Sequence, residues 1–155
     1  QLAQSKTQTV FEIAADISKD LTGELGNKQT TFGEVAFMRY GFKGARGEAE
    51  SGFKHVQEAL EFLDDLSWNS RIKALLYLIA NVEDTVFLKR SGSLERMEYH
   101  KEALRKINNI DLDTVKRLTS YCIEQNLSFG GSADLLVVSC FLKRYQAEFG
   151  HLKID

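Results

Sequence analysis

The stretch NLSFGGSADLL, residues 126–136, ends one helical pattern and opens another. Two glycines and a serine come before the new pattern, and Asp134 falls in its first turn. Backbone N–H groups at a helix N-terminus lack intrahelical partners, and the positive end of the helix dipole favours an anion. The stretch therefore predicts either a phosphate site or an ordinary helix start, in which Ser132 is the N-cap and Asp134 compensates the dipole.

Hydrophobic periodicity predicts an all-α fold. Apolar residues recur at helical spacing over about 6–21, 31–40, 48–66, 69–82, 94–107, 111–125 and 133–149. No segment shows the sustained alternation that is typical of strands. The patterns at 69–82 and 133–149 are apolar on most sides, which is typical of buried helices. We therefore expect a helical bundle in which these two buried central helices are wrapped by amphipathic ones.

Composition indicates one domain over residues 1–155, and the absence of proline suits long helices. A net charge of −2 argues against a general nucleic-acid binder. The longest apolar run, Ala74–Ala80, is too short to span a membrane, and the polar residues 1–8 are no signal peptide. Because Cys122 and Cys140 lack metal-ligand spacing, they suit reduced core residues in a cytoplasmic protein.

Three polar, glycine-containing clusters stand near predicted helix ends. They are GARGEAESGF (residues 44–53), EDTVFLKRSG (residues 83–92) and SFGGSADLL (residues 128–136). If the two central helices pack antiparallel, Asp84 and Asp134 face each other at one end of the core. Each cluster alone is compatible with loop and cap chemistry. Together they predict a polyanion site, in which arginines bind phosphate and carboxylates hold a divalent cation.

In order and spacing, these clusters resemble the triphosphoribosyl-dephospho-CoA synthase family over about residues 31–145. Residues 31–34 are similar to the family's Thr-His-Gly-Glu element, with Phe32 in place of histidine. Phe129 stands where the family usually has proline. The family's N-terminal half, with its Lys-Pro-Gly type motif, has no counterpart in this sequence. The chain therefore resembles the C-terminal half of a longer family member.

That resemblance implies transfer of the 5-triphosphoribosyl group of ATP to the ribose 2′-hydroxyl of 3′-dephospho-CoA, with release of adenine. The product is the prosthetic-group precursor of citrate lyase or malonate decarboxylase, and the sequence leaves both open. Within this reaction we expect Glu48, Asp134 and Glu34 to be catalytic, with Glu48 the first candidate for the base. We expect the triphosphate on Arg46, Arg90 and the amides of Gly130, Gly131 and Ser132, and Mg²⁺ on Asp84 or Asp134.

Two other functions stay open at this point. One is a catalytically inactive helical binding or scaffold module derived from the family, and the other is an unrelated helical enzyme that handles nucleotide pyrophosphates. If the chain is a half-length family member, active or inactive, we expect an apolar face on the short helix at Phe32, Phe37 and Met38. Such a face would pack against the N-terminal half of the same enzyme or a second copy.

Overall fold

The computed structural model describes residues 9–25, 30–107 and 110–149. Within these ranges all regular elements are helical, which confirms the all-α prediction. A short 3₁₀ turn at Leu21–Glu24 accompanies nine α-helices in the described residues. These are α1 (Val10–Ser18), α2 (Phe32–Tyr40), α3 (Gly44–Glu50), α4 (Lys54–Leu60), α5 (Trp68–Asn81), α6 (Thr85–Ser91), α7 (Leu94–Arg105), α8 (Leu112–Glu124) and α9 (Gly130–Phe149).

Side-chain caps account for several of the helix starts. Thr31 and Glu34 form a reciprocal capping box at α2, while Ser67 and Asp111 cap α5 and α8. Each cap supplies an acceptor to N–H groups that have no intrahelical partner. The predicted starts of these helices are therefore correct to within a residue or two. The beginning of the helix predicted over 6–21 lies outside the described residues.

The single helix predicted over 48–66 is wrong, because the chain turns between α3 and α4. Gly52 has a φ of +67°, and a Cβ there would lie 2.8 Å from the carbonyl oxygen of Phe11. Phe53 also adopts a left-handed conformation, with a φ of 57°. Glycine is therefore required where α1 passes close to this turn. The helical spacing of apolar residues continues across the turn, so periodicity alone does not reveal it.

Two hydrophobic clusters form the core, and α5 contributes to both. Leu78 lies in a cluster built from α1, α4, α5 and α9, and Ile79 lies in a second cluster built from α2, α5, α6 and α7. Neighbouring positions on one helix point in directions about 100° apart, so α5 can serve two clusters at once. The helix α6, which packs in the second cluster, was not predicted from the sequence.

The helix α9 is less buried than its sequence predicts. Leu135, Ser139 and Leu142 are buried against α4 and α5. On the opposite side, Val137 is 68% exposed and Phe141 is 63% exposed, so burial on most sides is wrong for the described chain. Although α9 is 20 residues long, no helix in the described ranges is long and apolar enough to cross a membrane.

Candidate functional site

The second and third sequence clusters meet at Asp84, the N-cap of α6. Asp84 is only 1% exposed. Its Oδ1 atom accepts hydrogen bonds from the backbone N–H groups of Val86 (2.9 Å) and Phe87 (3.0 Å). Its Oδ2 atom accepts from the backbone N–H (2.8 Å) and the hydroxyl (3.0 Å) of Ser132. The carboxylate therefore joins the N-terminal turns of α6 and α9, where both helix dipoles favour a negative charge.

The glycine at position 131 is explained by this contact. A Cβ on Gly131 would lie 3.2 Å from the Cγ atom of Asp84, closer than nine in ten Cβ contacts in proteins. The first turn of α9 thus approaches a carboxylate of the same chain, the kind of anion that a helix N-terminus favours. Because α9 begins at Gly130, Ser132 lies inside the first turn. The alternative in which Ser132 is the N-cap is therefore wrong.

The first sequence cluster reaches the same place through its first residue, Gly44, and the preceding Lys43. The backbone N–H of Lys43 donates to the Glu83 carboxylate at 2.7 Å. Gly44 has a φ of +55°, and a Cβ there would lie 3.3 Å from the Cγ2 atom of Thr85. We refer to residues 43–44, 83–85 and 131–132 as the junction. All three predicted clusters therefore contribute to one site in the fold.

Two cations from α7 bind backbone carbonyls at the end of α5, next to the junction. Lys101 is 4% exposed, and its ammonium group donates to the Val82 carbonyl at 2.9 Å. Arg105 donates to the carbonyl of Ala80. Both cations thus satisfy carbonyls at the C-terminus of α5, where the helix dipole favours positive charge. Burial holds the pKa of Lys101 below its ordinary value, and the nearby charges of Glu98 and Asp84 partly oppose that shift.

A cleft of about 300 Å³ opens beside the junction, between α3, the start of α4 and the end of α5. Its buried acid is Glu48, which is 6% exposed. One carboxylate oxygen of Glu48 contacts Nδ1 of His55, and the other accepts from the His55 backbone N–H at 3.4 Å. The cleft is lined by Lys43, Gly44, Gly47, Glu48, Ser51, Lys54, His55, Asn81 and Glu83.

The electrostatics of the cleft favour a charged imidazole. The hydrogen bond that the His55 ring makes to the Glu48 carboxylate raises the pKa of His55 above its ordinary value, although partial burial lowers it. Two lysines, Lys43 and Lys54, border the same cleft. The cleft therefore combines three groups that can carry positive charge with two acids, Glu48 and Glu83, and each lysine also pairs with an acid, Lys43 with Glu50 at 3.9 Å and Lys54 with Glu58 at 4.0 Å. Such a mixture suits a ligand that carries phosphate and a hydroxyl group.

Sequence reasoning missed His55 and Lys101. His55 follows Glu48 by seven residues across a turn that the periodicity did not predict. Lys101 sits in a charged amphipathic helix, where it has the same sequence appearance as a surface lysine. The turn glycine at position 52 is the one sequence signal that could have placed His55 beside Glu48.

The two predicted arginines lie at the edges of this region. Arg46 lies on α3, is 45% exposed at its side chain and pairs with Glu24 at 3.7 Å. Arg90 lies in the last turn of α6, roughly 9 Å along the helix axis from Asp84, and donates to the Asn126 side chain at 3.3 Å. Their phosphate-binding roles stay predictions.

Glu34 caps its own helix. Its carboxylate accepts from the backbone N–H groups of Thr30 (2.8 Å) and Thr31 (2.9 Å). The hydrogen bond from the Thr31 backbone is the main reason that the pKa of Glu34 lies below its ordinary value. A catalytic role for this acid stays a prediction, while its capping role is visible.

The predicted magnesium ligands differ in accessibility. Asp84 and the first turn of α9 do come together, but Asp134 lies about 200° around the helix from Ser132 and is exposed, so the two acids do not face each other. Four donors already occupy both oxygens of Asp84, so its carboxylate does not fit a metal ion. Within the described residues, no group of three or more His, Cys, Asp or Glu side chains could hold a metal ion.

Comparison with known proteins assigns the chain to a family. The family model described as CitG, ATP:dephospho-CoA triphosphoribosyl transferase, matches residues 1–152. The chain belongs to this family. It is 34% identical over 148 residues to the 2-(5''-triphosphoribosyl)-3'-dephosphocoenzyme-A synthase of Haemophilus ducreyi, a match that covers 87% of this chain and 45% of that protein. No solved structure matches the chain.

Other members of the CitG family match in the same way. A probable synthase of the same name from Streptococcus equi subsp. zooepidemicus is 36% identical over 86% of this chain and 50% of its own length. Protein CitXG of Haemophilus influenzae is 33% identical over 88% of this chain and 33% of its own length. The chain therefore spans half or less of the length of these curated relatives.

Proposed function

We propose that this chain carries part of the active site of an enzyme that transfers the 5-triphosphoribosyl group of ATP to the 2′-hydroxyl of 3′-dephospho-CoA. Its product would be the prosthetic-group precursor of citrate lyase or malonate decarboxylase. The observation that supports this proposal most strongly is that all three family-like clusters join at one junction, beside a cleft with a buried carboxylate. Membership of the CitG family supplies the reaction class.

The proposed reaction is a displacement at the anomeric carbon of the ATP ribose. The bond from C1′ to N9 of adenine breaks, and adenine leaves with the electron pair and takes up a proton. A new bond forms between C1′ and the 2′-oxygen of dephospho-CoA, whose proton goes to a base. Positive charge develops on the ATP ribose in the transition state, as in glycoside cleavage. A carboxylate near that ribose therefore contributes both as a base and as a counter-charge.

Glu48 is the residue that we assign as this base. It lies at the wall of the cleft, and His55 fixes the orientation of its carboxylate. The raised pKa of His55 keeps a positive charge beside Glu48, so that the pair can hold a proton and still attract phosphate. Glu34 and Asp134 remain the other proposed acids. Of these, only Asp134 lies on α9, two residues beyond the junction residue Ser132.

Phosphate binding is assigned to cations around the same cleft. Lys43 and Lys54 line it. Arg46 and Arg90 are not among the lining residues, and their assignment to phosphate comes from the sequence alone. The Ser132 N–H donates to Asp84, which leaves the amides of Gly130 and Gly131 from the predicted set. Mg²⁺ brought with ATP would neutralise phosphate charge, and Asp134 is the exposed one of its two predicted ligands.

An inactive helical binding module is the second candidate. It is favoured by the contact between Glu48 and His55, which engages the acid proposed as the base. In such a module the cleft would bind a phosphorylated ligand without transfer.

Adenine release from ATP and 3′-dephospho-CoA separates these functions. The assay uses the chain together with the unmatched portion of the Haemophilus ducreyi synthase. We expect Glu48→Gln to lower the rate at least about 100-fold, because the base is lost while the size is kept. Glu102→Gln, at an exposed acid on α7, is the matched control and should leave the rate unchanged. Full activity in Glu48→Gln would remove Glu48 from the chemistry, and ligand binding without adenine release in any form would support the inactive module.

A further inference from the structure

His55 presents one ring nitrogen to a protein acid and leaves the other available. Its Nδ1 atom contacts the Glu48 carboxylate. Within the described ranges its Nε2 atom has no hydrogen-bond partner, and it is not among the buried polar atoms that lack one. The side chain is 23% exposed and lines the cleft. Nε2 is therefore free to donate a hydrogen bond to a ligand that enters the cleft.

A second histidine of the described chain has the opposite arrangement. His100 is 3% exposed, its Nδ1 atom lies 3.0 Å from the Tyr121 hydroxyl, and its Nε2 atom is buried without a partner. Burial holds the pKa of His100 below its ordinary value, whereas the hydrogen bond to Glu48 raises the pKa of His55. Of these two histidines, His55 is the one that combines a stabilised charge with an accessible nitrogen, as a general acid requires.

The charged groups around His55 favour its protonated form. Those that line the cleft or act on the pKa of His55 come from α3, α4 and the residues beside α3 and α5, and they are Lys43, Glu48, Lys54, Glu58 and Glu83. Glu48 has the largest influence and Glu58 acts in the same direction, while Lys54 and partial burial oppose them. The acids thus outweigh the lysines in their effect on the imidazole.

The proposed transfer requires a proton donor as well as a base. A purine that departs as an anion is a poor leaving group, so that donation of a proton to one of its ring nitrogens lowers the barrier. Glu48, as the proposed base, starts the reaction without the proton that it accepts. His55 lines the same cleft and is favoured in the protonated form, so it can supply a proton when Glu48 cannot.

We propose that Nε2 of His55 donates the proton that the departing adenine takes up, and that His55 and Glu48 act as an acid–base pair. This inference rests on the proposed function for the reaction itself. The C1′–N9 bond breaks with its electron pair on adenine, whose ring nitrogen gains the Nε2 proton, and Glu48 gains the proton of the 2′-hydroxyl. Imidazolium and carboxylate carry no net charge together, and neither do the neutral imidazole and carboxylic acid that remain. Proton exchange with water in the cleft then restores the pair.

The variant His55→Asn tests this assignment. The asparagine amide can occupy the position of Nδ1 and still donate to Glu48, but it has no group at the position of Nε2. We expect adenine release by the reconstituted enzyme to fall at least about 100-fold, because the acid is lost. Circular dichroism should show that the variant still folds. Glu102→Gln, at an exposed acid on α7, is the control and should release adenine at the parent rate.

Two further readouts separate an acid from a residue that only orients Glu48. Chlorine in place of the adenine amino group makes the base a better leaving group, so with 6-chloropurine riboside 5′-triphosphate the rate loss in His55→Asn should be at least about tenfold smaller than with ATP. The parent rate should also fall as pH rises through the folded-state pKa of His55, and His55→Asn should lack this fall. Equal losses with both substrates and an unchanged pH profile would make His55 a positioning residue and overturn the proposal.

The same assay distinguishes failure of this inference from failure of the proposed function. Adenine release at the parent rate by His55→Asn would overturn the role of His55 and leave the proposed function intact. The unmatched portion of the Haemophilus ducreyi synthase is first shown to restore activity to the matched portion of its own enzyme. If the parent chain then releases no adenine with that portion, the proposed function is overturned, and the role of His55 with it.

Discussion

Asp84 and Glu48 are two buried acids with opposite surroundings. Asp84 is 1% exposed and accepts four hydrogen bonds from the first turns of α6 and α9. Glu48 is 6% exposed, contacts a single histidine and lines an open cleft. A carboxylate whose acceptor sites are all used holds structure together, while one at a cleft wall can exchange a proton with a ligand. The proposed function thus gives Asp84 a structural role and Glu48 a chemical one.

The largest loss of stability is expected for a substitution at Gly131, beside Asp84. Gly131→Asp places a second carboxylate where even a Cβ would lie 3.2 Å from Asp84. Steric overlap and like-charge repulsion in a buried place should cost at least about 3 kcal/mol of unfolding free energy. Urea denaturation measures this. Gly23→Asp is the control, because nothing lies within 4 Å of a Cβ at Gly23, and an equal loss at both positions would contradict the explanation.

A smaller loss of stability is expected when the buried cation Lys101, next to the junction, is removed. Lys101→Met keeps the length of the side chain but removes the hydrogen bond to the Val82 carbonyl and a positive charge near Asp84. We expect a loss of about 2 kcal/mol in unfolding free energy. Lys116→Met, at an exposed lysine, is the comparison and should change little. Equal stability of the Lys101→Met variant and the parent would show that Asp84 needs no buried counter-charge.

The cap of α2 should contribute less again. Glu34→Gln removes the charge that accepts hydrogen bonds from Thr30 and Thr31, so we expect a small fall in the melting temperature. Thermal unfolding measures the change, and adenine release from the reconstituted enzyme stays near the parent rate if Glu34 acts only as a cap. A large loss of activity at unchanged stability would instead make Glu34 a catalytic acid.

The smallest expected effect is a pH dependence from the Glu48–His55 pair. Because Glu48 raises the pKa of His55, the folded chain holds this proton more tightly than the unfolded chain. The resulting stabilisation is fully present below the unfolded histidine pKa of about 6.5, and it is lost as pH rises through the folded value. The stability difference between the parent chain and Glu48→Gln should therefore be larger at pH 6 than at pH 9. A difference that does not vary with pH would contradict the pairing.

Much of the fold could be predicted from the sequence because local signals carry it. Asp111 and Thr31 are cap residues placed before apolar helical patterns, and α8 and α2 begin where they indicate. The break at Gly52 could not be predicted in the same way, since its cause is the approach of the Phe11 carbonyl, 41 positions earlier in the chain. The exposure of Val137 likewise depends on which other elements are present to cover α9.

The sequence predicts which segments meet at the site, but it does not predict which side chains contact each other there. Glycine-rich clusters with acids marked the segments that meet at the junction. The partner of each acid depends on tertiary packing, however, and Ser132 and His55 were not assigned to Asp84 and Glu48 in advance. The sequence also does not distinguish a first turn that receives a protein carboxylate from one that receives a phosphate, because the same unpaired N–H groups suit both.

The most direct test of the division between the two acids is the unfolding free energy of Asp84→Asn beside that of Glu48→Gln. Asparagine would place an amide NH₂ against N–H donors that now meet an oxygen, in a position that is 1% exposed. We predict a loss of about 2–4 kcal/mol for Asp84→Asn and less than about 1 kcal/mol for Glu48→Gln. If Asp84→Asn were as stable as the parent chain but released no adenine, the structural role of Asp84 would be contradicted. Asp84 would then be a catalytic residue.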